Sequence, residues 1–115
     1  MPYLSIQTNR ALPDDKQTEL LGAALKIVAT QLDKPENVVM ASFARVAQMT
    51  LGGEKSPTAY LELRSIGIPD SKRNPLSAAL TDLVAQSCEI DGERIFIVFV
   101  DVNARFWSWK GATIA

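Results

Sequence analysis

The chain repeats itself. Shifted by 56 residues, Pro13-Asp14-Asp15-Lys16 falls on Pro69-Asp70-Ser71-Lys72. The same shift places Leu20 on Leu76, Ala23 on Ala79, Val28 on Val84 and Ala29 on Ala85. The register runs without a gap to Phe43 on Phe99 and Val46 on Val102. Scattered chance identities would not keep one register through a turn, a helix and a strand. The 115 residues therefore hold two copies of one supersecondary unit, too few for a solenoid. They predict a single domain, residues 1–115, built from two pseudo-symmetric halves.

Each half reads strand, helix, strand. In the first, Pro2 to Thr8 alternates as a strand does. Leu21, Leu25, Val28 and Leu32 then fall at helical spacing between Asp14 and Leu32. Asp14 is the expected N-cap, its carboxylate accepting from the free amides of the first turn. Lys34-Pro35-Glu36-Asn37 is a turn, and Val38 to Val46 the second strand. In the second half, a strand over Ala59 to Ile66 precedes a helix carrying Leu76, Leu80, Leu83 and Val84. Pro75 fits best at the first helical position behind Asn74. A start nearer Asp70 is the alternative, with Pro75 costing a hydrogen bond. Glu89 to Glu93 turns the chain into a last strand, Arg94 to Val102.

Right-handed crossovers put both helices on one face of a four-stranded sheet. The run Ile95-Phe96-Ile97-Val98-Phe99-Val100 is apolar on both sides, as in a strand covered on both faces. One chain of this length has nothing left to cover the second face, so copies of itself are the simplest cover. The geometry predicts an oligomer without fixing its number.

Composition narrows the chemistry. The net charge of −1 gives no electrostatic footprint for nucleic acid or an anionic membrane. No stretch has the length of a membrane span, and no signal-peptide pattern opens the chain, so the expected compartment is the cytoplasm. The single cysteine, Cys88, excludes an internal disulfide and reads as a small apolar residue of the second helix. There is no histidine, which removes the Ser-His and Cys-His systems and the commonest zinc ligand. Neither metal nor cofactor is expected. A base must come from a carboxylate, Lys, Tyr, the thiol or the chain's own α-amine.

Met1-Pro2, Asp33-Lys34-Pro35, Leu51-Gly52-Gly53, Ser65-Ile66-Gly67 and Asp101-Val102-Asn103-Ala104 occur in this order, followed by Trp109 and the terminal Ala115. As an ordered set they resemble the macrophage migration inhibitory factor family of tautomerases, over essentially the whole chain. The resemblance implies a homotrimer of four-stranded sheets with the helices outside, and a tail from about Phe106 that crosses to a neighbour. It implies keto–enol tautomerisation of small aromatic α-keto acids, on phenylpyruvate- or dopachrome-like substrates, with the amino-terminal proline, here Pro2, as base after Met1 is removed. It makes Lys34 and the backbone N–H of Ile66 the carboxylate contacts, with Tyr3 and Trp109 among the substrate-binding residues.

Four pocket positions depart from the family's usual pattern. Phe96 stands for a tyrosine, Val98 for an asparagine and Ile114 for a phenylalanine. A usual tyrosine after the lysine turn is Val38. The pocket should be more apolar and poorer in donors, with modest activity. Trp107 is expected to pack against a neighbour, and Arg64, Arg94 and Arg105 to serve as solvated surface cations. A Cys-x-x-Cys motif of some relatives falls on Thr58-Ala59-Tyr60-Leu61 and is absent, and with it the thiol chemistry proposed for them. The alternative reading is a weakly catalytic or non-catalytic, cytokine-like binding protein on the same trimer. By analogy with the family, such a protein could leave the cell without a leader and meet a receptor.

Overall fold

The computed structural model describes residues 1–115 and shows the repeat directly. Strands β1 (Pro2–Thr8), β2 (Met40–Arg45), β3 (Ala59–Ile66) and β4 (Ile95–Val102) form one sheet in the order β2-β1-β3-β4. β1 pairs with β2, and β3 with β4, in parallel; β1 and β3 meet antiparallel at the centre. The pseudo-twofold axis therefore runs between β1 and β3. Helix α1 (Asp14–Leu32) and helix α2 (Asp70–Cys88) are 56 residues apart at both ends. Their left-handed caps, Asp33 and Glu89, keep the same offset.

The core lies between helices and sheet. Leu20, Ala24, Val28 and Leu32 of α1 meet Leu76, Leu80, Val84 and Cys88 of α2 over Leu4, Ile6, Leu61 and Leu63. The buried stripe of α1 keeps Val28 and Leu32 as predicted but has Leu20 and Ala24 in place of Leu21 and Leu25, which are only half-buried. The small Ala24 lets α1 settle closely, and Leu21 packs on the flank.

Both helix starts differ from expectation. Pro13, not Asp14, is the N-cap of α1; its carbonyl accepts from Lys16 N and Gln17 N at 3.0 Å. Asp14 and Asp15 lie inside the first turn, where their charge favours the helix dipole. In α2 the start nearer Asp70 is the observed one. Pro69 caps the helix and Pro75 sits within it. Pro75 is exposed, so water reaches the backbone it leaves unpaired. The second strand is shorter than predicted because Glu36–Val38 forms a 3-10 turn.

The sheet face away from the helices is not uniformly apolar. Ser5, Gln7, Glu62 and Arg64 occupy the two central strands. Arg64 Nη2 is 2.6 Å from Glu62 Oε1, and Tyr60 Oη donates to Glu62 Oε2 at 2.9 Å. That acceptor raises the Tyr60 phenol above its ordinary range. Exposed large apolar side chains of the sheet lie on its two edge strands, Met40 of β2 at 67% and Phe96 and Val98 of β4 at 56% and 41%. The tail ends in a small hairpin, β5 (Ser108–Trp109) with β6 (Ala112–Thr113). No helix is long and apolar enough to cross a membrane.

Candidate active site

The largest cleft, about 370 Å³, opens at the amino-terminal end of β1. Pro2, Tyr3, Val38 and Met40 line it from the sheet and the turn before β2; Trp107 and Trp109 wall it from the tail. None of its lining residues carries a carboxylate. Pro2 starts a central strand, with its ring fully buried. It pairs directly with Ser65 of β3, so the same register sets Met1 opposite Ile66. The turn after Ile66 is fixed from β4: Asp101 Oδ1 accepts from Gly67 N at 2.9 Å and Ile68 N at 3.3 Å. Gly67 has φ +72°, a conformation that glycine adopts without steric cost.

Lys34 is placed by the end of α1. Asp33 turns left-handed, and Lys34 N donates back to Ala29 O at 2.9 Å. Ile90 N does the same to Ala85 O at 3.1 Å in the second half. That position usually carries an apolar residue against the last helical turn. Ile90 is buried in this way; Lys34 is not. The repeat is broken here by a cation. Its charge reaches the amino terminus: partial burial first, and Lys34 second, hold the Met1 α-amine below the ordinary α-amine range.

Of the residues singled out in the sequence, the cleft gathers Pro2, Tyr3 and Trp109; Lys34 and Ile66 do not line it, although the Lys34 charge reaches the amine and the register sets Ile66 opposite Met1. Trp107 lines it too, contrary to the expected packing on a neighbour alone. Asn37, Val39, Met40 and Ser108 were not anticipated. Asn37 and Val39 lie in an irregular turn, Met40 begins β2 directly after it, and Ser108 lies in the tail hairpin, paths that no periodicity signals. Phe96, Val98 and Ile114 do not line the cleft. Pro2 shares a row with Ser65 and Asp101, three and five residues along β4 from Val98 and Phe96. At the rise of a strand these are roughly 10 and 16 Å away along the sheet. Cys88 is buried, and burial pushes its thiol up.

Two βαβ units back to back on one sheet, with the chain's own amine in an apolar cleft at the end of a central strand, define a protein of the tautomerase superfamily. The family described as "Macrophage migration inhibitory factor (MIF)" matches residues 1–115. The macrophage migration inhibitory factor homolog of Brugia malayi is 35% identical over 115 residues, covering 98% of both chains. A macrophage migration inhibitory factor homologue from Prochlorococcus marinus superposes with TM-score 0.93 at 34% identity, covering 98% of this chain and 99% of that one. Macrophage migration inhibitory factor from Toxoplasma gondii gives 0.92 at 29%, covering 96% and 98%. The chain belongs to the macrophage migration inhibitory factor family.

Proposed function

We propose that this protein is a keto–enol tautomerase of small aromatic α-keto acids, phenylpyruvate-like, in which Pro2 is the base once Met1 is removed. The observation that carries this reading is the amine in the cleft. Already on Met1 it is held below its ordinary range, by burial first and Lys34 second. Removing Met1 moves the amine one residue inward, onto a buried ring. Desolvation disfavours the protonated form further, so the secondary amine is free to act near neutral pH.

In the ketone-to-enol direction, Pro2 N takes a proton from the carbon next to the keto group. The electron pair of that C–H bond forms the C=C bond, and negative charge develops on the keto oxygen. Lys34 meets the substrate carboxylate and stabilises this charge, with the Ile66 N–H as a second donor. A proton from water completes the enol and Pro2 N returns its proton to solvent, which restores the base; ketonisation runs the same steps backwards. Trp109, Trp107 and Tyr3 offer ring faces to an aromatic substrate.

The remaining residues require neighbours. Phe96 and Val98 lie too far along β4 to join the cleft of their own chain, yet they are exposed, apolar and on an unpaired strand edge. A closed homotrimer, as the family resemblance implies, brings them to the cleft of an adjacent copy and covers the edge. Their lack of donors, with Ile114 in the tail, makes for modest turnover.

The test is phenylpyruvate ketonisation by protein whose intact mass shows Met1 absent. Turnover should fall at least about a hundredfold in a Pro2→Gly variant, the lower range for loss of a general base. Equal rates in both proteins would sink the assignment. They would favour the reading of a binding protein on a tautomerase frame, for which the donor-free Phe96 and Val98 speak.

A further inference from the structure

The hairpin that walls the cleft carries an unexplained residue. Its two-residue loop, Lys110–Gly111, has positive φ at both positions, +56° and +81°. Such turns favour Asn, Asp or Gly at the first position, because any other side chain crowds its own backbone there. A lysine is present instead. Its ammonium lies 4.4 Å from the centre of the Trp109 ring, the ring that forms one wall of the cleft. No carboxylate pairs with it in the chain's five ion pairs. An unusual backbone conformation, an ammonium over an indole and a charge without an ion-pair partner thus coincide beside a ring that lines the cleft. The cleft has no acidic lining to repel an anion.

Lys34 and Lys110 mark different parts of the site. Lys34 follows α1 and acts on the amine. Lys110 stands on the hairpin, with its ammonium over a face of the Trp109 indole. Building on the proposed tautomerase activity, we propose that Lys110 is a second anion-recognition point, and that the preferred substrate is a doubly anionic α-keto acid whose distal end, beyond the aromatic ring, carries a carboxylate. The keto-acid end meets Lys34 and the Ile66 N–H. The distal carboxylate meets the Lys110 ammonium beside the Trp109 ring. An exposed cation held over an aromatic face is already oriented, so less side-chain freedom is lost on binding.

The experiment compares phenylpyruvate with 4-carboxyphenylpyruvate in the wild-type protein, Lys110→Asn and Lys110→Arg. Asparagine suits the left-handed turn, so the hairpin keeps its backbone, and circular dichroism checks the fold. The ratio of kcat/KM for the carboxylated over the plain substrate should fall about fivefold in Lys110→Asn, the upper range for an exposed ion pair. The change should appear in KM, and Lys110→Arg should restore the ratio. Added salt should lower the wild-type ratio and leave that of Lys110→Asn unmoved. A ratio equal in wild type and Lys110→Asn would overturn the proposal.

If the wild type turns over neither substrate, the tautomerase reading fails, and binding decides the rest. 4-Carboxycinnamate, a non-reacting analogue, is then titrated against the fluorescence of Trp107 and Trp109. Tighter binding to wild type than to Lys110→Asn supports the anion point. Equal binding, or none, overturns it.

Discussion

Lys34 and Ile90 hold equivalent positions in the two halves, and only one of them is apolar. A repeat keeps what packing needs and departs where something else is required, so this departure is a physical pointer to function. It also predicts a pH profile. The Lys34 cation disfavours a second positive charge on the nearby amine and so lowers its pKa. Activity that needs the neutral amine should rise with pH through that lowered value and then level off. Removing the cation in Lys34→Ala lets the amine hold its proton longer, so the acid limb should move to higher pH. KM should rise as well, because a carboxylate contact is lost. A pH–rate profile of the two proteins reads the shift; a limb in the same place would show that Lys34 does not face the base. Pro2, Lys34 and Trp109 were legible in the sequence because they sit in short motifs with fixed spacing. Lys110 was not, since nothing in Trp109-Lys110-Gly111 announces a left-handed turn that folds the ammonium over the indole.

The elements followed the repeat closely, down to equal helix lengths and matching caps. The helix starts keep the repeat too but differ from the caps expected, and the reason is local. Proline at the N-cap supplies a carbonyl as well as any residue does, and its fixed φ suits the approach to a helix. The side-chain cap anticipated at Asp14 was therefore unnecessary. Pro75 was harder to place, because packing of Leu76, Leu80 and Val84 outweighs one lost backbone bond. Its cost should still be measurable. Pro75→Ala restores an amide to the Ser71 carbonyl on an exposed face, and should stabilise the protein by about 1–2 kcal/mol. Thermal unfolding checks it, with an expected rise in Tm of several degrees. A fall would mean that the stiffness proline gives the unfolded chain matters more here.

At the scale of the whole molecule, the uncovered sheet face divides into two surfaces. The central strands carry the Tyr60–Glu62–Arg64 network and are suited to water or polar company. The β4 edge carries Phe96 and Val98 and is suited to burial. The reading of an entirely apolar open face came from β4 alone and is corrected by its neighbours in the sheet. A charge on the apolar strip should prevent assembly while leaving the core intact. Phe96→Glu should sediment at the mass of one chain, keep the circular dichroism of the wild type and lose tautomerase activity, if a neighbour completes the cleft. An assembled Phe96→Glu protein would place the interface elsewhere.

The sequence by itself determined the two-unit architecture, both helices and four strands within a few residues, and the family. Hydrophobic spacing and turn chemistry are local, and a 56-residue offset makes them visible twice. It also named an amine, a lysine and a tryptophan. Only the tertiary structure decided that the amine and the tryptophan meet at one cleft with the Lys34 charge reaching the amine, that the tail walls it with two indoles and sets the Lys110 ammonium over one of them, and that Phe96 and Val98 lie too far along the sheet to reach it. Those facts depend on strand register and on the path of irregular segments. Both are set by contacts between residues distant in the chain, which no local pattern encodes.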